Sequence, residues 1–408
     1  MFRKINIGLI GFGCVGQGLY QIWKEDDNPH IEISKVVVKN DWKERSIDPP
    51  LLTTNTNDVL NDPEINVIVE VINNSDQAFE LLRQSLQNGK AFITANKKMI
   101  AEHLAEIFEL QKIYGLPVLY EGAVCGSIPI LRNLEGYFAS DQIHGLSGIF
   151  NGSTNYILTD MFQNGSGFKK ALEHAQQLGF AEANPSLDVG GFDPKYKLAI
   201  AITHAFGTFI SPSQILNLGI DNITNQDIQH AKAHNLTIKL IAQATKFDGE
   251  ITAVVAPKLV KASSLLGGVS WENNAIEIES HFAGTQALIG KGAGSLPTGF
   301  AVWADIIQLQ SGFHYKYEKI KQKNTATLCE DALVNVRVSS ANDLPLNSND
   351  FEQFCGGHRS KDVHTMIGWI RLQSLAEWSA MPGLSVMLEE GEALKPIEEI
   401  LTPKQCLI

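Results

Sequence analysis

The chain has little cysteine, no long apolar run, no basic block and no internal repeat, and each absence removes a class of protein. Five cysteines, at 14, 125, 329, 355 and 406, are odd in number and scattered over 408 residues. That excludes a disulfide framework and points to reduced thiols. No apolar stretch is long enough to span a bilayer. The opening MFRKINIGLIGFG pairs basic residues with an apolar patch, as a signal peptide does. Glycines at 8, 11 and 13 fit a strand and turn better, and no small-residue cleavage site follows a longer apolar core. A cytoplasmic location is the expectation. Thirty-three basic against 45 acidic residues leave a net charge of −12, which disfavours nucleic acid or an anionic membrane as partner. Cys355-x-x-His358 with His364 has metal-like spacing but no fourth ligand nearby, and structural zinc wants four; no zinc is expected there.

What is present is ordinary for a soluble globular protein: 44% apolar and 19% charged residues. The length suits two or three domains. Lys4 to Ile10 reads as a buried parallel strand. Gly11-Phe12-Gly13-Cys14-Val15-Gly16 follows at once, and a helix begins by Gln17. This G-x-G-x-x-G stands in its required strand–turn–helix setting. Gly11 serves the tight turn, Gly13 the approach of backbone to a pyrophosphate, and Gly16 the packing of helix on strand, with Cys14 and Val15 between them. Dinucleotide binding is the expectation. The second strand, Ile33 to Val38, ends in Lys39-Asn40, with Lys43 close by, where an NAD site usually carries an acid. A cation there favours NADP, with NAD possible.

Further strands at Val67–Ile72, Ala91–Thr94 and Val118–Tyr120 alternate with helices, giving a doubly wound α/β domain with ligands at the strand ends. Those ends carry Asn73-Asn74 and Asn96-Lys97-Lys98, with Lys97 the functional candidate and Lys98 facing solvent. Beyond Ile143, GLSGIFNGSTNYIL offers Asn151, Ser153 and Thr154 as capping or ligand-binding residues. IKLIAQATKF and ITAVVAPKLV suit a second, α+β domain. GKGAGSLPT is another glycine-rich loop ahead of a helix from Gly299 to Gln310, suggesting that the chain returns to the cofactor side. YKYEKIKQK reads as a charged linker, Leu333–Ser339 as a strand, NDLPLNSNDFEQFCGGHRSKD as loop, and Val363–Leu372 as strand or buried helix.

One stretch concentrates chemistry. LGFAEANPSLDVGGFDPKYK, residues 178–197, holds Glu182, Asp188, Asp193, Lys195 and Lys197. Its Pro and Gly density argues against a regular element before about Asp193. From there a mostly apolar helix sets Asp193 and Lys197 four apart, on one face. An acid and an amine in the first helical turn can manage a proton on a substrate oxygen. They can equally be an ordinary i,i+4 ion pair.

Taken together, GFGCVG, TANKK, EGAVCGSIPI, GIFNGSTNYIL and LGFAEANPSLDVGGFDPKYKLAI, in that order and joined by GKGAGSLPT, resemble homoserine dehydrogenase over roughly residues 4–310. The resemblance implies a Rossmann nucleotide-binding domain (1–132), an α+β substrate and dimerisation domain (133–293), a helix returning to the nucleotide domain (294–314), and a C-terminal extension (315–408). It implies NAD(P)H-dependent reduction of aspartate 4-semialdehyde to homoserine, toward threonine, methionine and isoleucine, in a homodimer or higher homo-oligomer. By the same resemblance Lys97 and Lys197 flank the reacting oxygen and substrate, and Asp193 orients Lys197 or a water. Glu182 and Asp188 receive the substrate's ammonium, with Gly152 and Ser153 contributing. Gly292, Asn73 and Lys97 join the cofactor site. Glu121 with the carbonyls of Val124 and Gly126 forms a monovalent-cation site, usually sodium.

Phe180 stands where the family often has Tyr, Asn73-Asn74 replaces a glycine-rich strand end, and Asn184 replaces a common Asp. Longer members carry an ACT-type βαββαβ regulatory domain with an Asp-x-Pro-Gly signature. Here Pro382-Gly383 follows Ala380-Met381, so the extension is a degenerate ACT-like module or unrelated. Two other functions compete. Aspartate-semialdehyde dehydrogenase needs a nucleophilic cysteine and a histidine base, and Cys125 has no evident partner. A cofactor-binding sensor without catalysis would not need Lys97, Asp193 and Lys197.

Overall fold

The structure is a computed structural model, described for residues 4–40, 44–321, 326–329, 331–341, 344–360, 363–391 and 394–396. Lys43 and Cys406 lie outside the described residues. The chain divides into two compact units, 1–139 with 203–205 and 291–321, and 140–202 with 206–290 and 322–408.

The first unit is a six-stranded parallel sheet in the order β3-β2-β1-β4-β5-β6. Its strands are β1 (Ile5–Ile10), β2 (Ile31–Val37), β3 (Leu52–Thr53), β4 (Val67–Glu70), β5 (Ala91–Thr94) and β6 (Val118–Leu119). β4 and β5 are buried at every position, which is why they read as continuous apolar runs without alternation. The helices are α1 (Cys14–Asp26), α2 (Asn57–Leu60), α3 (Ser75–Gln87), α4 (Lys97–Tyr114) and α5 (Ile130–Glu135), joined by α12 (Ser295–Gln310). α12 lies on α1 at glycine contacts: a Cβ on Gly18 would sit 2.1 Å from the Ser295 carbonyl oxygen, and one on Gly299 2.7 Å from the Leu19 nitrogen. The GKGAGSLPT loop therefore carries the chain back onto the first helix.

The segment after α12 differs from its expected character. YKYEKIKQK is charged, yet Tyr315 and Tyr317 are buried. Tyr317 bonds Tyr120 at 2.8 Å and Gln111 at 2.9 Å. Tyr120 reaches His204, whose Nδ1 meets Glu135 at 2.6 Å. Lys316 and Lys321 stay exposed while Tyr315, Tyr317 and Lys319 are buried, so the composition of a linker concealed a wall of the core.

The second unit is built on a sheet of twelve strands among the described residues, with a main path β12-β11-β7-β9-β10-β17-β14-β16-β15. These are β7 (Ile143–Ile149), β9 (Leu236–Phe247), β10 (Glu250–Lys261), β11 (Asn273–Ser280), β12 (Gly284–Lys291), β14 (Ala332–Ser340), β15 (Gln353–Arg359), β16 (His364–Arg371) and β17 (Ser385–Leu388). β8 (Leu216–Asn217) and β13 (Thr327–Leu328) pair with β10, and β18 (Leu394–Pro396) with β14. β9 and β10 form a hairpin closed by Asp248-Gly249, both at positive φ, the chemistry a two-residue turn requires. The helices are α6 (Gly152–Asn164), α7 (Phe168–Gln177), α8 (Ser186–Val189), α9 (Phe192–Phe206), α10 (Asn225–Ala233), α11 (Leu265–Gly268) and α13 (Leu372–Ser379). The expected break before Asp193 is interrupted by the single turn α8.

Gln353–Arg359, read from sequence as loop, is a strand paired with β16. Its glycines and polar residues suit an edge position, where one side of the backbone needs no partner. The C-terminal strands lie antiparallel in the order β17-β14-β16-β15, the spatial order fourth-first-third-second. α13 joins the third to the fourth. Between the first two, the described residues hold only the 3-10 turn Ser348–Asp350. Cys355 and His358 lie on β15 and His364 on β16; no cluster of three or more metal-ligating side chains occurs among the described residues. Nor is any described helix long and apolar enough to cross a membrane.

Candidate active site

In the first unit, β1 runs into a loop whose glycines are dictated by contact. Gly11 has φ +106°, and a Cβ there would meet the Val71 carbonyl oxygen at 2.8 Å; one on Gly16 would meet the Gly11 carbonyl at 2.4 Å. Gly13 has no heavy atom within 4 Å of where a Cβ would stand, so its backbone faces open space. It is the N-cap of α1, without a side-chain cap and with no acid in the first turn. Bare N–H groups at a helix start, no carboxylate and a clear approach together fit a pyrophosphate. Cys14 is exposed and Val15 half-buried. The Cys14 carbonyl accepts the Ser295 hydroxyl at 2.7 Å, tying the second glycine loop to the first.

Lys39 is exposed just beyond β2, and Asn73 is exposed just beyond β4. Asn74 is the N-cap of α3, accepting the Gln77 N–H at 2.8 Å. Lys97 is the first residue of α4 and half-buried. Lys98 is exposed, 3.8 Å from Glu102. The loops at these strand ends are held by a residue that the sequence reading missed, Glu70. Its carboxylate accepts the Ile72 N–H and the Thr94 hydroxyl, each at 2.6 Å. Thr94 in turn accepts the Asn96 N–H at 2.9 Å, and Asn96 caps α4 at Met99. Burial pushes Glu70 up to about 7. The available signal was a lone acid ending the apolar run VIVE.

Glu121 also departs from its simple assignment. Both carboxylate oxygens are taken by backbone N–H groups at the start of α5, Leu131 at 2.9 Å and Arg132 at 3.0 Å. Asp305 accepts the Glu121 N–H at 2.9 Å and pairs with the Arg132 guanidinium. Burial, then the neighbouring Asp305, pushes Glu121 up to about 8; burial takes Asp305 to about 6. The carboxylate thus caps a helix, which leaves the main-chain carbonyls of this turn as the oxygens not engaged in that cap. Cys125 and Gly126 both have positive φ. A Cβ on Gly126 would sit 2.7 Å from the Gly292 carbonyl, which places Gly292 against the same turn.

In the second unit the acid–amine pair is buried. Asp193 and Lys197, on the first turns of α9, are 2% and 6% exposed, and Lys197 Nζ donates to Asp193 Oδ2 at 2.7 Å. The same ammonium donates to the Phe150 carbonyl, also at 2.7 Å. Asn151 donates to Asp188 Oδ1 at 2.7 Å and to Asp193 Oδ2 at 2.8 Å. Three segments of the chain therefore converge: the β7–α6 junction, α8 and the start of α9.

Gly152 opens α6 where a Cβ would lie 2.5 Å from the Glu272 carbonyl. Ser153 donates its hydroxyl to the Phe180 carbonyl, and the Phe180 ring lies 5.1 Å from that of Tyr156. Asn274, fully buried near Gly152, has no protein partner for either amide atom among the described residues. Glu182 is exposed, its carbonyl taken by Gln176, and its side chain stands outside the ring of bonds just described. Asn184 is exposed as well. The structure thus joins Asp188, Asp193 and Lys197 through Asn151 and the Phe150 carbonyl, sets Gly152 and Ser153 in the helical turn that follows Asn151, and leaves Glu182 outside those bonds.

Comparison with known proteins bears on both units. Residues 11–121 match the family model described as homoserine dehydrogenase, NAD binding domain, and residues 129–307 the one described as homoserine dehydrogenase. The homoserine dehydrogenase of Bacillus subtilis is 37% identical over 314 residues, covering 75% of this chain and 72% of its own. The chain belongs to the homoserine dehydrogenase family. It is accordingly an NAD(P)-dependent oxidoreductase acting on a CH–OH group.

The Helicobacter pylori member is 36% identical over 316 residues, with 76% of this chain and 74% of its own covered. Among solved structures, the family member from Thiobacillus denitrificans aligns with TM-score 0.84 at 28% identity, covering 95% of this chain and 98% of its own. A hyperthermophilic archaeal homoserine dehydrogenase, solved in complex with NADPH, aligns with TM-score 0.66 at 26% identity over 76% of this chain and 99% of its own. The family models end at residue 307, whereas the Thiobacillus structure extends the likeness through nearly the whole chain.

Proposed function

We propose that this family member reduces L-aspartate 4-semialdehyde to L-homoserine, with Lys197 as the group that meets the carbonyl oxygen. One observation carries the assignment: a buried ammonium held at 2.7 Å by both Asp193 and the Phe150 carbonyl. Two of its three N–H groups are engaged among the described residues, which leaves one for an incoming oxygen. Bound nicotinamide supplies the hydride; the chain's own residues manage charge and proton. As negative charge grows on the oxygen, Lys197 stabilises it and delivers a proton. Asp193 orients Lys197 or a water. Asp188, with Glu182, receives the substrate's ammonium, and Gly152 and Ser153 contribute from the α6 N-terminus, where backbone N–H groups suit the substrate carboxylate. Lys97 serves as a second cation toward substrate and cofactor.

The cofactor rests on Gly11, Gly13, Cys14, Val15 and Gly16, with Asn73 and Gly292 at its margins. Lys39 favours the 2′-phosphate of NADP over NAD. A monovalent cation, sodium by family resemblance, would be held by the carbonyls of Glu121, Val124 and Gly126, since the Glu121 carboxylate is committed to α5. We also infer a place in threonine, methionine and isoleucine synthesis, self-association into a dimer or higher oligomer, and a cytoplasmic setting. The described cysteines 14, 125, 329 and 355 form no disulfide among the described residues, which suits a reducing compartment. Within the two units we propose a nucleotide domain at 1–132, a substrate domain at 133–293, a returning helix at 294–314 and a C-terminal extension at 315–408.

The test is steady-state turnover of aspartate 4-semialdehyde with NADPH and with NADH, with and without threonine. Oxidation of cofactor without added phosphate supports the reductase. Cofactor binding without turnover would leave a sensor, and phosphate-dependent reduction of NADP the semialdehyde dehydrogenase.

A further inference from the structure

Asn151 entered the sequence analysis as a capping or ligand-binding residue, and it does cap a helix. It is the N-cap of α6, and its Oδ1 accepts the Thr154 N–H at 2.8 Å and the Thr154 hydroxyl at 3.0 Å. Those two donors also settle which way the carboxamide faces. With Oδ1 turned to Thr154, the amide nitrogen must turn the other way, and it donates to Asp188 and Asp193 at 2.7 and 2.8 Å. The residue is 5% exposed. Serine, threonine or aspartate would cap a helix equally well. None of them offers one acceptor and two donors at this reach. An aspartate would set a third carboxylate against two others. The two carboxylates, not the cap, select asparagine here.

We propose that Asn151 is a positioning residue of the reaction: one carboxamide ties the carboxylate that receives the substrate's ammonium to the acid–amine pair that handles its oxygen. The role rests on the site reading under Proposed function and adds to it a mechanical link between binding and chemistry. The link closes through the main chain. Lys197 Nζ donates to the carbonyl of Phe150, the residue before Asn151, and to the same Asp193 oxygen that Asn151 holds. A shift of Asp188 toward an arriving ammonium is transmitted through one rigid amide to the oxygen that holds Lys197.

The titratable groups around Asn151 are few. Asp188 faces it from α8, and Asp193 and Lys197 from α9. Lys195, between them on α9, lies over the Phe192 ring at 4.9 Å. Asp160, further along α6, is paired with His174 at 3.2 Å, and Glu272 precedes β11.

Two variants separate positioning from capping. Asn151→Ser keeps a capping oxygen and removes both donors. It should fold with near-parent thermal stability and bind NADPH as the parent does. Its kcat should fall about 10- to 100-fold, the effect of losing a hydrogen bond to a charged group, and its KM should rise. The acid limb of its kcat–pH profile should move upward, because Asp193 has lost a donor. Asn151→Asp should be slower still at neutral pH and should recover as pH falls, when its own proton can replace one N–H. Parent kcat, KM and pH profile in Asn151→Ser would reduce the residue to a cap and overturn the inference. Should Asn151→Ser not fold, Asn151→Asp decides: activity without low-pH recovery overturns the proposal. Lys197→Ala run alongside keeps the two readings distinct. If Lys197→Ala is inactive while Asn151→Ser is unaffected, only this inference fails. If Lys197→Ala retains its rate, the reading of the site itself fails.

Discussion

Glu121, Arg132 and Asp305 in the first unit, and Asp188, Asp193 and Lys197 in the second, each bring two carboxylates and one cation largely out of water. Burial and composition alone do not tell them apart. In the first cluster, Glu121 accepts two backbone N–H groups and Asp305 a third, and Arg132 completes the set. Its donors come from the protein's own helix start, so its chemistry is spent on holding the turn. In the second cluster the cation has two acceptors among the described residues, which leaves an N–H for another, and an asparagine spaces the acids. The comparison teaches that strongly shifted carboxyls, Glu121 and Glu70 among them, can mark structure. A site is better marked by a donor left over.

The contrast can be pressed from the largest expected effect downward. Replacing Arg132 with Met strands two acids beside an apolar chain and should cost about 3–5 kcal/mol of unfolding free energy, read by urea titration. A loss under about 1 kcal/mol would show that the first cluster holds little. Lys197→Ala also leaves the buried Asp193 without its cation and should lose stability too, but it should in addition lower kcat a hundredfold or more, of order 3 kcal/mol of transition-state stabilisation. A near-parent rate would erase the distinction between the clusters.

Glu70 gives a pH signature. Its folded pKa of about 7 stands above the ordinary 4.5, so the folded state holds the proton more tightly than the unfolded chain does. The resulting stability is present below about pH 4.5 and is lost as pH rises toward 7, by on the order of 3 kcal/mol. Glu70→Gln should flatten that slope; unfolding curves of parent and variant with equal slopes between pH 5 and 7 would refute it. Smallest is Lys39→Asp, which should shift the NADPH-to-NADH preference about tenfold toward NADH, since one exposed charge is worth ~1 kcal/mol. Unchanged selectivity would make Lys39 a solvated strand end.

Much of the architecture was legible because its causes are local. Apolar runs broken by turn residues gave the parallel strands. Glycine spacing after β1 gave the nucleotide loop, and a four-residue interval gave Asp193 and Lys197. Where the reading slipped, an outside partner decided. Gln353–Arg359 lacks apolar alternation, yet β16 supplies its hydrogen bonds. Tyr315 and Tyr317 sat among lysines, and only the folded chain shows which side faces inward.

The sequence by itself determined the dinucleotide loop, the alternation of strand and helix, and the placing of acid and amine on one helical face, because each depends on residues a few positions apart. Tertiary structure alone decided that Asn151 reaches acids 37 and 42 positions away. It decided too that the Glu121 carboxylate turns to a helix start, and that C-terminal strands join the sheet of the substrate unit. A hydrogen-bond donor is fixed by residue type, but the acceptor it meets is chosen only when distant segments are packed against it.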